Sequence, residues 1–508
     1  MFRRKKFVIS LVLALSATLV AISVVLAGPA ACEDRVNNTF AKLLQCVTVD
    51  GVREHQAAFQ AIADANGGTR VSGTAGYDQS VDYVVERMTA AGYAVTVQPF
   101  QFQTFISLSP PVLEQVSPAA GPIANSILSY SGSGDVTAAA TALLAPPADA
   151  TPGCEAADYA GFPAGNIALI SRGACAFAIK ATNAYSAGAS GVVIYNNIAG
   201  PLNGTLGNGF TLDIPVTSVT QAAGQQLAAT PGLVLRVKTE TFRGPATSYN
   251  VLAETSAGDP NNVVLVGGHL DAVNAGPGIN DNGSGVAAVL ETAVRMARVK
   301  PANKVRFAFW GAEESSLVGS TYYVNNLSAD DLDRIALYLN FDMIGSPNHV
   351  FFIYDGDNSD GVGAGPGPGG SDEIEAVFEQ FYQARSLPFK GTDFSGRSDY
   401  GPFMAANIPA GGLSTGAEGI KTAAEAASWG GTAGLAYDPC YHQACDTFAN
   451  VNEDALDANA DAVAFATLTF AMSTERVNGI KGRGGPKARG SFALTGAASS
   501  TAKSLPDR

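Results

Sequence analysis

The stretch FWGAEESS, residues 309–316, sets two adjacent acids, Glu313 and Glu314, behind a strand-like run from Val305 to Trp310. Only 15% of the 508 residues are charged, so carboxylates side by side at the end of an apolar run need a reason. Other polar groups recur at equivalent places. His269 and Asp271 follow the run Val-Val-Leu-Val-Gly-Gly, residues 263–268. Asp281 stands just before a helical stretch, Asp342 follows Tyr-Leu-Asn-Phe, and His442 lies between Cys440 and Cys445. In open α/β sheets, ligands gather beyond the carboxyl ends of strands. Two histidines and several carboxylates are donors suited to zinc and its neighbours. Two such ions can clamp a hydrolytic water and a substrate oxygen together. That arrangement needs a bridging carboxylate, and Asp281 is central to the set. Side chains alternate along a strand, but at its end the chain turns and neighbours are free to face one way. Glu314 can then bind metal while Glu313, one residue back, holds the proton of the attacking water.

Each residue alone has a plainer reading. Asp281 reads as the N-cap of the helix behind it. Asp342 reads as a strand-end surface acid. A lone buried histidine is more often a satisfied core residue than a ligand, and His55 and His349 stay in that class. Only the joint occurrence at successive strand ends favours chemistry.

The elements that must position these groups follow from periodicity. Residues 51–68 and 76–93 read as helices, and 94–105 as a strand. Val286, Val289, Leu290, Ala293, Val294 and Ala297 predict a helix over 282–299 with one apolar face. Residues 262–268, 305–311 and 336–345 read as strands, and 371–385 as a helix. Strands alternating with helices predict an α/β fold, a mixed, mostly parallel twisted sheet with helices on both faces. Between 108 and 240 charges nearly vanish and Ala, Gly and Pro dominate. There, 166–197 reads as strand, turn, helix and strand. The expected organisation is an α/β domain over 40–108 and 242–474, interrupted by an inserted module at 109–241. A tail over 475–508, without periodicity, is expected to be unstructured or removed.

The chain carries a net charge of −14, concentrated in its middle, because residues 1–31 hold Arg3, Arg4, Lys5 and Lys6 and no acid. The tail holds seven basic and two acidic residues. Such a surface is poor for nucleic acid, whose phosphates need Lys and Arg. The N-terminus has the layout of an export signal over 1–31: a basic start, a long apolar run and small residues before Cys32. Two alternatives are an uncleaved membrane anchor and a lipid on Cys32. Six cysteines in an exported chain favour disulfides, and they fall as neighbours: Cys32 with Cys46, Cys154 with Cys175, Cys440 with Cys445.

The segments GGHLDAVNAGPGINDNGSGVAAVLETA, FAFWGAEESSLVGSTYYVNNL, YLNFDMIGSPN, GRSDYGPF and DPCYHQACDT resemble the secreted bacterial di-zinc aminopeptidases of the leucine aminopeptidase type. The insert resembles the β-rich protease-associated (PA) domain. The resemblance implies two zinc ions, with His269 and Asp342 on one, Glu314 and His442 on the other, and Asp281 bridging. It implies Glu313 as general base, Asp271 orienting the ligand imidazole, Tyr441 on the oxyanion and Arg397 lining the substrate pocket. It implies a cis peptide after Asp281. Asp457 and Asp461 match part of a calcium site found in some relatives, but Cys46 stands where an aspartate ligand belongs. The implied activity is release of N-terminal residues, large and hydrophobic ones such as Leu, from peptides or proteins, by a secreted monomer free of the membrane once its signal is cleaved. Rival readings are a carboxypeptidase or amidohydrolase on the same scaffold, and a non-catalytic module that binds protein through its PA domain.

Overall fold

Runs of β-branched and aromatic residues set the central strands. In the computed structural model, residues 32, 34–202, 204–363 and 365–479 are described. The expected signal peptide and residues 480–508 of the expected tail lie outside the described residues. The chain opens with α1 (Phe40–Leu44), α2 (Val49–Ala65) and α3 (Ala75–Ala90), then β1 (Ala94–Ser107). It returns from the insert in β10 (Thr241–Glu254), and continues through β11 (Asp259–His269), α6 (Gly283–Met296), β12 (Asn303–Trp310), α7 (Val318–Asn325), α8 (Ala329–Arg334) and β13 (Ile335–Phe341). β14 (Phe352–Tyr354), α9 (Ser371–Ala384), β15 (Lys390–Thr392), α10 (Tyr400–Ala405), β16 (Ala410–Ser414), α11 (Ala423–Trp429), α12 (Glu453–Met472) and α13 (Glu475–Asn478) complete it.

The main sheet has the order β1-β10-β12-β11-β13-β16-β14-β15. Its centre, β12-β11-β13-β16, is parallel, and β1, β10 and β14 pair antiparallel. Alternate residues feed two cores. Val264, Val266, Phe307 and Leu339 face α2, α3, α6, α9 and α12, while Leu265, Trp310 and Tyr338 face α7 and α10. The parallel strands are buried on both faces, which is why they read as continuous apolar runs.

Helix α6 departs from the one-faced expectation. Gly283 through Ala293 are all buried, because the helix lies between the sheet and α2, α3 and α12. Its buried acid Glu291 is taken up by Arg295 (2.8 Å) and by His55 (3.4 Å). The His55 ring also bonds the Tyr83 hydroxyl at 2.7 Å. The expected tail also begins too early, since Glu475–Asn478 form α13. Asn262 holds that turn by donating to Thr474 Oγ1 and accepting from Asn478 Nδ2, and Arg476 pairs with Glu373.

The insert carries a second sheet, ordered β3-β2-β9-β5-β6-β7-β8-β4. Its elements are β2 (Val112–Ser117), β3 (Gly121–Pro122), β4 (Ser126–Ile127), β5 (Gly134–Ala142), β6 (Ile167–Ser171), α4 (Phe177–Ser186), β7 (Gly191–Tyr195), β8 (Val216–Val219), α5 (Gln221–Ala228) and β9 (Val234–Thr239). It hangs from the end of a long antiparallel ribbon, since β1 and β10 pair from Ala94 opposite Glu254 to Ser107 opposite Thr241. The ribbon's last pair includes Thr241, which had been expected inside the insert. The three pairs Cys32–Cys46, Cys154–Cys175 and Cys440–Cys445 are bonded. A bond to Cys46 and a lipid are mutually exclusive uses of the Cys32 sulfur. Among the described residues no helix is long and apolar enough to cross a membrane.

Candidate metal centre

Strands β11, β12 and β13 end side by side, and their ends supply the site. His269 is the last residue of β11. Its approach is tight: a Cβ on Gly268 would stand 2.5 Å from the Phe341 carbonyl of the neighbouring strand end, so that position admits no side chain. Asp342 follows β13 directly, and Glu313 and Glu314 follow β12. Beyond β12 the backbone turns at once. Ala312, Ser316 and Leu317 all adopt left-handed conformations, with φ of 54°, 81° and 57°. Such residues are sparse outside glycine and persist only where their surroundings fix them. Here Ser72 Oγ accepts from Ala312 N (2.7 Å) and Asn250 Oδ1 from Gly311 N (3.1 Å). That turn is how two consecutive glutamates come to face one centre. Met343 and His442 are left-handed too, at 53° and 56°, so three ligand-bearing turns share the device.

Asp281 is not the N-cap of α6. That role falls to Asn282, whose Oδ1 accepts from Gly285 N at 3.0 Å. Asp281 is left free to face the site, and its peptide bond to Asn282 is cis. Its two oxygens divide between the histidines: Oδ1 is 3.3 Å from His269 Nε2, and Oδ2 is 3.1 Å from His442 Nε2. His269 Nε2 is also 3.4 Å from Asp342 Oδ1, and His442 Nε2 is 3.0 Å from Glu314 Oε2. Ligand atoms 2.0–2.1 Å from a tetrahedral ion stand about 3.3 Å apart, close to these spacings. The residues therefore form two overlapping trios, His269–Asp281–Asp342 and Asp281–Glu314–His442.

Unsatisfied atoms test whether this set fits cations. Glu314 Oε1 is buried with no hydrogen-bond partner, and the buried Asp281 Oδ2 and Asp342 Oδ1 meet only imidazole nitrogens. A buried carboxylate without a partner is costly. Burial pushes the Glu313 carboxyl well up, a rise that His269 opposes and Glu314, Asp399 and Asp342 reinforce. Burial works against an ionised Asp281 too, yet His269 and His442 hold it far below the usual range. Both imidazoles are held well above their ordinary value: burial favours the neutral ring, but the carboxylates around each prevail. The site is thus an excess of buried negative charge seeking positive partners, and its donor set suits divalent ions.

The remaining expected residues fall around this core. Asp271 lies behind His269, with Oδ1 3.7 Å and its carbonyl 3.2 Å from Nδ1. The same Oδ1 accepts from Glu313 N at 3.1 Å, so Asp271 fixes both the imidazole and the backbone of the adjacent glutamate. Glu313 Oε2 is 3.9 Å from His269 Nε2. Tyr441 stacks on His442, ring centroids 3.8 Å apart, and its hydroxyl accepts from Arg397 Nη2 at 3.1 Å. Arg397 is exposed and also pairs with Glu418 at 2.7 Å. Asp457 and Asp461 do not join the centre. Asp457 is exposed and Asp461 pairs with Arg385 at 3.2 Å, and neither belongs to a three-ligand cluster among the described residues.

Several participants escaped the sequence reading. Ser398 Oγ donates to Asp342 Oδ2 at 2.6 Å, and Asn340 Nδ2 donates to Ser398. Asp399 is fully buried, and burial raises its carboxyl to about 7. Asp446 accepts from the backbone N–H groups of Asn280 and Asp281, at 2.9 and 3.0 Å, and so sets the position of the shared carboxylate. Arg70, fully buried, donates to the carbonyls of Leu270, Pro277 and Gly278 and braces the loop from His269 to Asp281. Ser398, Asp399 and Asp446 sit inside quoted motifs, beside residues that were noticed. Arg70 gave no local signal.

Comparison with known proteins gives the family of the chain. Residues 250–467 match the model of peptidase family M28, and residues 136–227 match the PA domain. The chain is 47% identical over 461 residues to an aminopeptidase of Pseudomonas aeruginosa, covering 88% of this chain and 85% of that one. It is 41% identical over 407 residues to leucine aminopeptidase 2 of Arthroderma otae, covering 80% of each. Among solved structures, a zinc aminopeptidase from Bacillus subtilis superposes with a TM-score of 0.62 at 25% identity, over 82% of this chain and 94% of that one. Two ligand trios sharing one carboxylate, on an α/β sheet interrupted by a PA domain, are thus found in a chain that belongs to peptidase family M28.

Proposed function

We propose that this chain is an exported aminopeptidase that removes large hydrophobic residues, leucine among them, from the N-termini of peptides, using two zinc ions. The observation that carries the reading is the division of Asp281 between two histidines, each with a further carboxylate beside it. His269 and Asp342 would hold one ion, Glu314 and His442 the other, with Asp281 shared. Bound there, zinc supplies Lewis acidity and lowers the pKa of water toward neutrality. The protein's own residues do the rest. Glu313 takes the proton of the attacking water at its carboxylate and later returns it to the leaving amine. Its backbone is anchored by Asp271, which keeps that carboxylate in register with His269. Tyr441, held by Arg397, turns its hydroxyl proton to the developing oxyanion. The excess of carboxylates binds the free α-ammonium of the substrate, which restricts cleavage to the first residue.

Export is supported by the three disulfides, which belong to oxidising compartments. The test compares leucine p-nitroanilide, its N-acetyl derivative, and peptides with free or amidated C-termini. The expected result is loss of turnover on N-acetylation and indifference to the C-terminus. Equal turnover of the acetylated substrate, or a need for a free C-terminus, would move the assignment to an amidohydrolase or a carboxypeptidase.

A further inference from the structure

A second acidic cluster lies away from the metal centre, where β14 ends at the edge of the main sheet. The chain there reads Asp355-Gly-Asp357-Asn-Ser-Asp360-Gly, and α9 brings Glu375 alongside. Asp355 is 3% exposed and Glu375 6% exposed. Carboxylate oxygens of Asp355, Asp357 and Glu375 all lie within 4.8 Å of one another. Backbone donors take one oxygen of each: Asp360 N on Asp355 Oδ2 (3.1 Å), Ser359 N on Asp357 Oδ1 (2.7 Å) and Gly356 N on Glu375 Oε2 (2.7 Å). Of the three oxygens that remain, Asp355 Oδ1 is buried with no hydrogen-bond partner.

The charge around this oxygen has one sign. Beyond burial and backbone hydrogen bonds, the groups acting on Asp355 are Asp360 and Asp357, and those acting on Glu375 are Asp355 and Asp357. Glu379, one turn further along α9, feels Asp357 and Asp360. Burial, with those neighbours, lifts the Glu375 carboxyl to about 7. Three carboxylates packed against one another at a sheet edge carry a cost that a bound cation would repay.

We propose that Asp355, Asp357 and Glu375 hold a calcium ion at a site distinct from the His269–His442 centre. The donors are all oxygen, with no imidazole or thiolate, which favours a hard cation over zinc. Calcium takes six to eight oxygens at 2.3–2.6 Å in tolerant geometry, so loop carbonyls and water can complete the shell, whereas magnesium demands a near-ideal octahedron. The ion would brace a part of the fold that leads to the active site. Asp360 Oδ2 accepts from Gly391 N of β15 at 2.6 Å, tying the loop to the last strand. Tyr354, at the end of β14, packs against Phe394 and Tyr400 at 5.1 and 4.7 Å, on either side of the turn that carries Arg397 and Asp399.

This inference does not rest on the aminopeptidase reading, and its test measures binding rather than turnover. Purified protein is saturated with zinc, then examined by equilibrium dialysis with radioactive calcium and by thermal unfolding with calcium or magnesium chloride. At ~1 mM calcium, a micromolar site raises Tm by about 5 °C. D357N, altered at an exposed position, and E375Q each bind one calcium fewer per chain than wild type and lose that rise. The proposal is overturned if wild type takes up no calcium, if both variants retain all of it, or if magnesium gives the same rise in Tm.

Discussion

The two sheets of this molecule bury polar groups in opposite ways. In the inserted module, β6, β7 and β8 are wholly buried, with a core of Val192, Val193, Ile194, Leu235 and Val237. Several of its buried polar residues find ordinary partners: Ser218 donates to Leu202 O, Thr239 to Gly132 O, and the Lys180 ammonium to Pro152 O. Its ion pairs, such as Arg236 with Asp135 and Glu114, lie at the surface. In the α/β unit, buried carboxylates gather at the strand ends, and several of their oxygens have no partner. The α/β unit carries a local electrostatic cost that bound cations would offset, and that imbalance sets it apart from the insert.

The widest gap between the regions is exposed by Glu313→Gln. Removing a general base costs roughly 10²–10⁴-fold in rate. Turnover of leucine p-nitroanilide should fall by that factor while metal content and the circular dichroism spectrum stay unchanged. An active variant would sink the role given to Glu313. The converse test strikes the insert. Ile194→Ala should destabilise that module by about 2–5 kcal/mol. Differential scanning calorimetry should show its transition moved to lower temperature, with turnover of small substrates within about twofold of wild type at 25 °C. A parallel loss of activity would mean the insert supports the site directly.

A finer probe is Asp446→Ala, which strips the acceptor from the N–H groups of Asn280 and Asp281. Groups that orient metal ligands typically contribute 10–100-fold to affinity. Zinc titration against a chromophoric chelator should read a loss of that size. A last probe lies outside the ligand set, at His349. Burial, aided by Lys421, lowers its pKa to about 4, beneath its ordinary value of 6.5. Between those values the unfolded chain binds more protons than the folded one, so stability falls as pH drops from about 6.5 to 4 and is unaffected above. Measured as Tm against pH, this contribution should vanish in His349→Gln.

Much of the fold and site could be read from the residues because both signals are local. Valine-rich strands give continuous apolar runs, and a polar group just beyond each run stands out. The Asp281–Asn282 doublet shows the limit. Either residue can cap a helix, and only the backbone turn decides that Asn282 does so and Asp281 faces the site. The full burial of α6 was likewise hidden, since packing by three other helices leaves no mark in its own periodicity. Arg70 acts through carbonyls about two hundred positions away. Asp457 and Asp461 have the spacing for a shared ion, but Arg385, brought in by α9, takes one of them.

The central claim is that five side chains, His269, Asp281, Glu314, Asp342 and His442, cage a pair of divalent ions on which turnover depends. Elemental analysis of purified, active protein tests it most directly, repeated after dialysis against a chelator and again after zinc is restored. The account predicts two zinc ions per chain, activity lost with them and regained on their return. Active protein free of transition metal and indifferent to the chelator would contradict it.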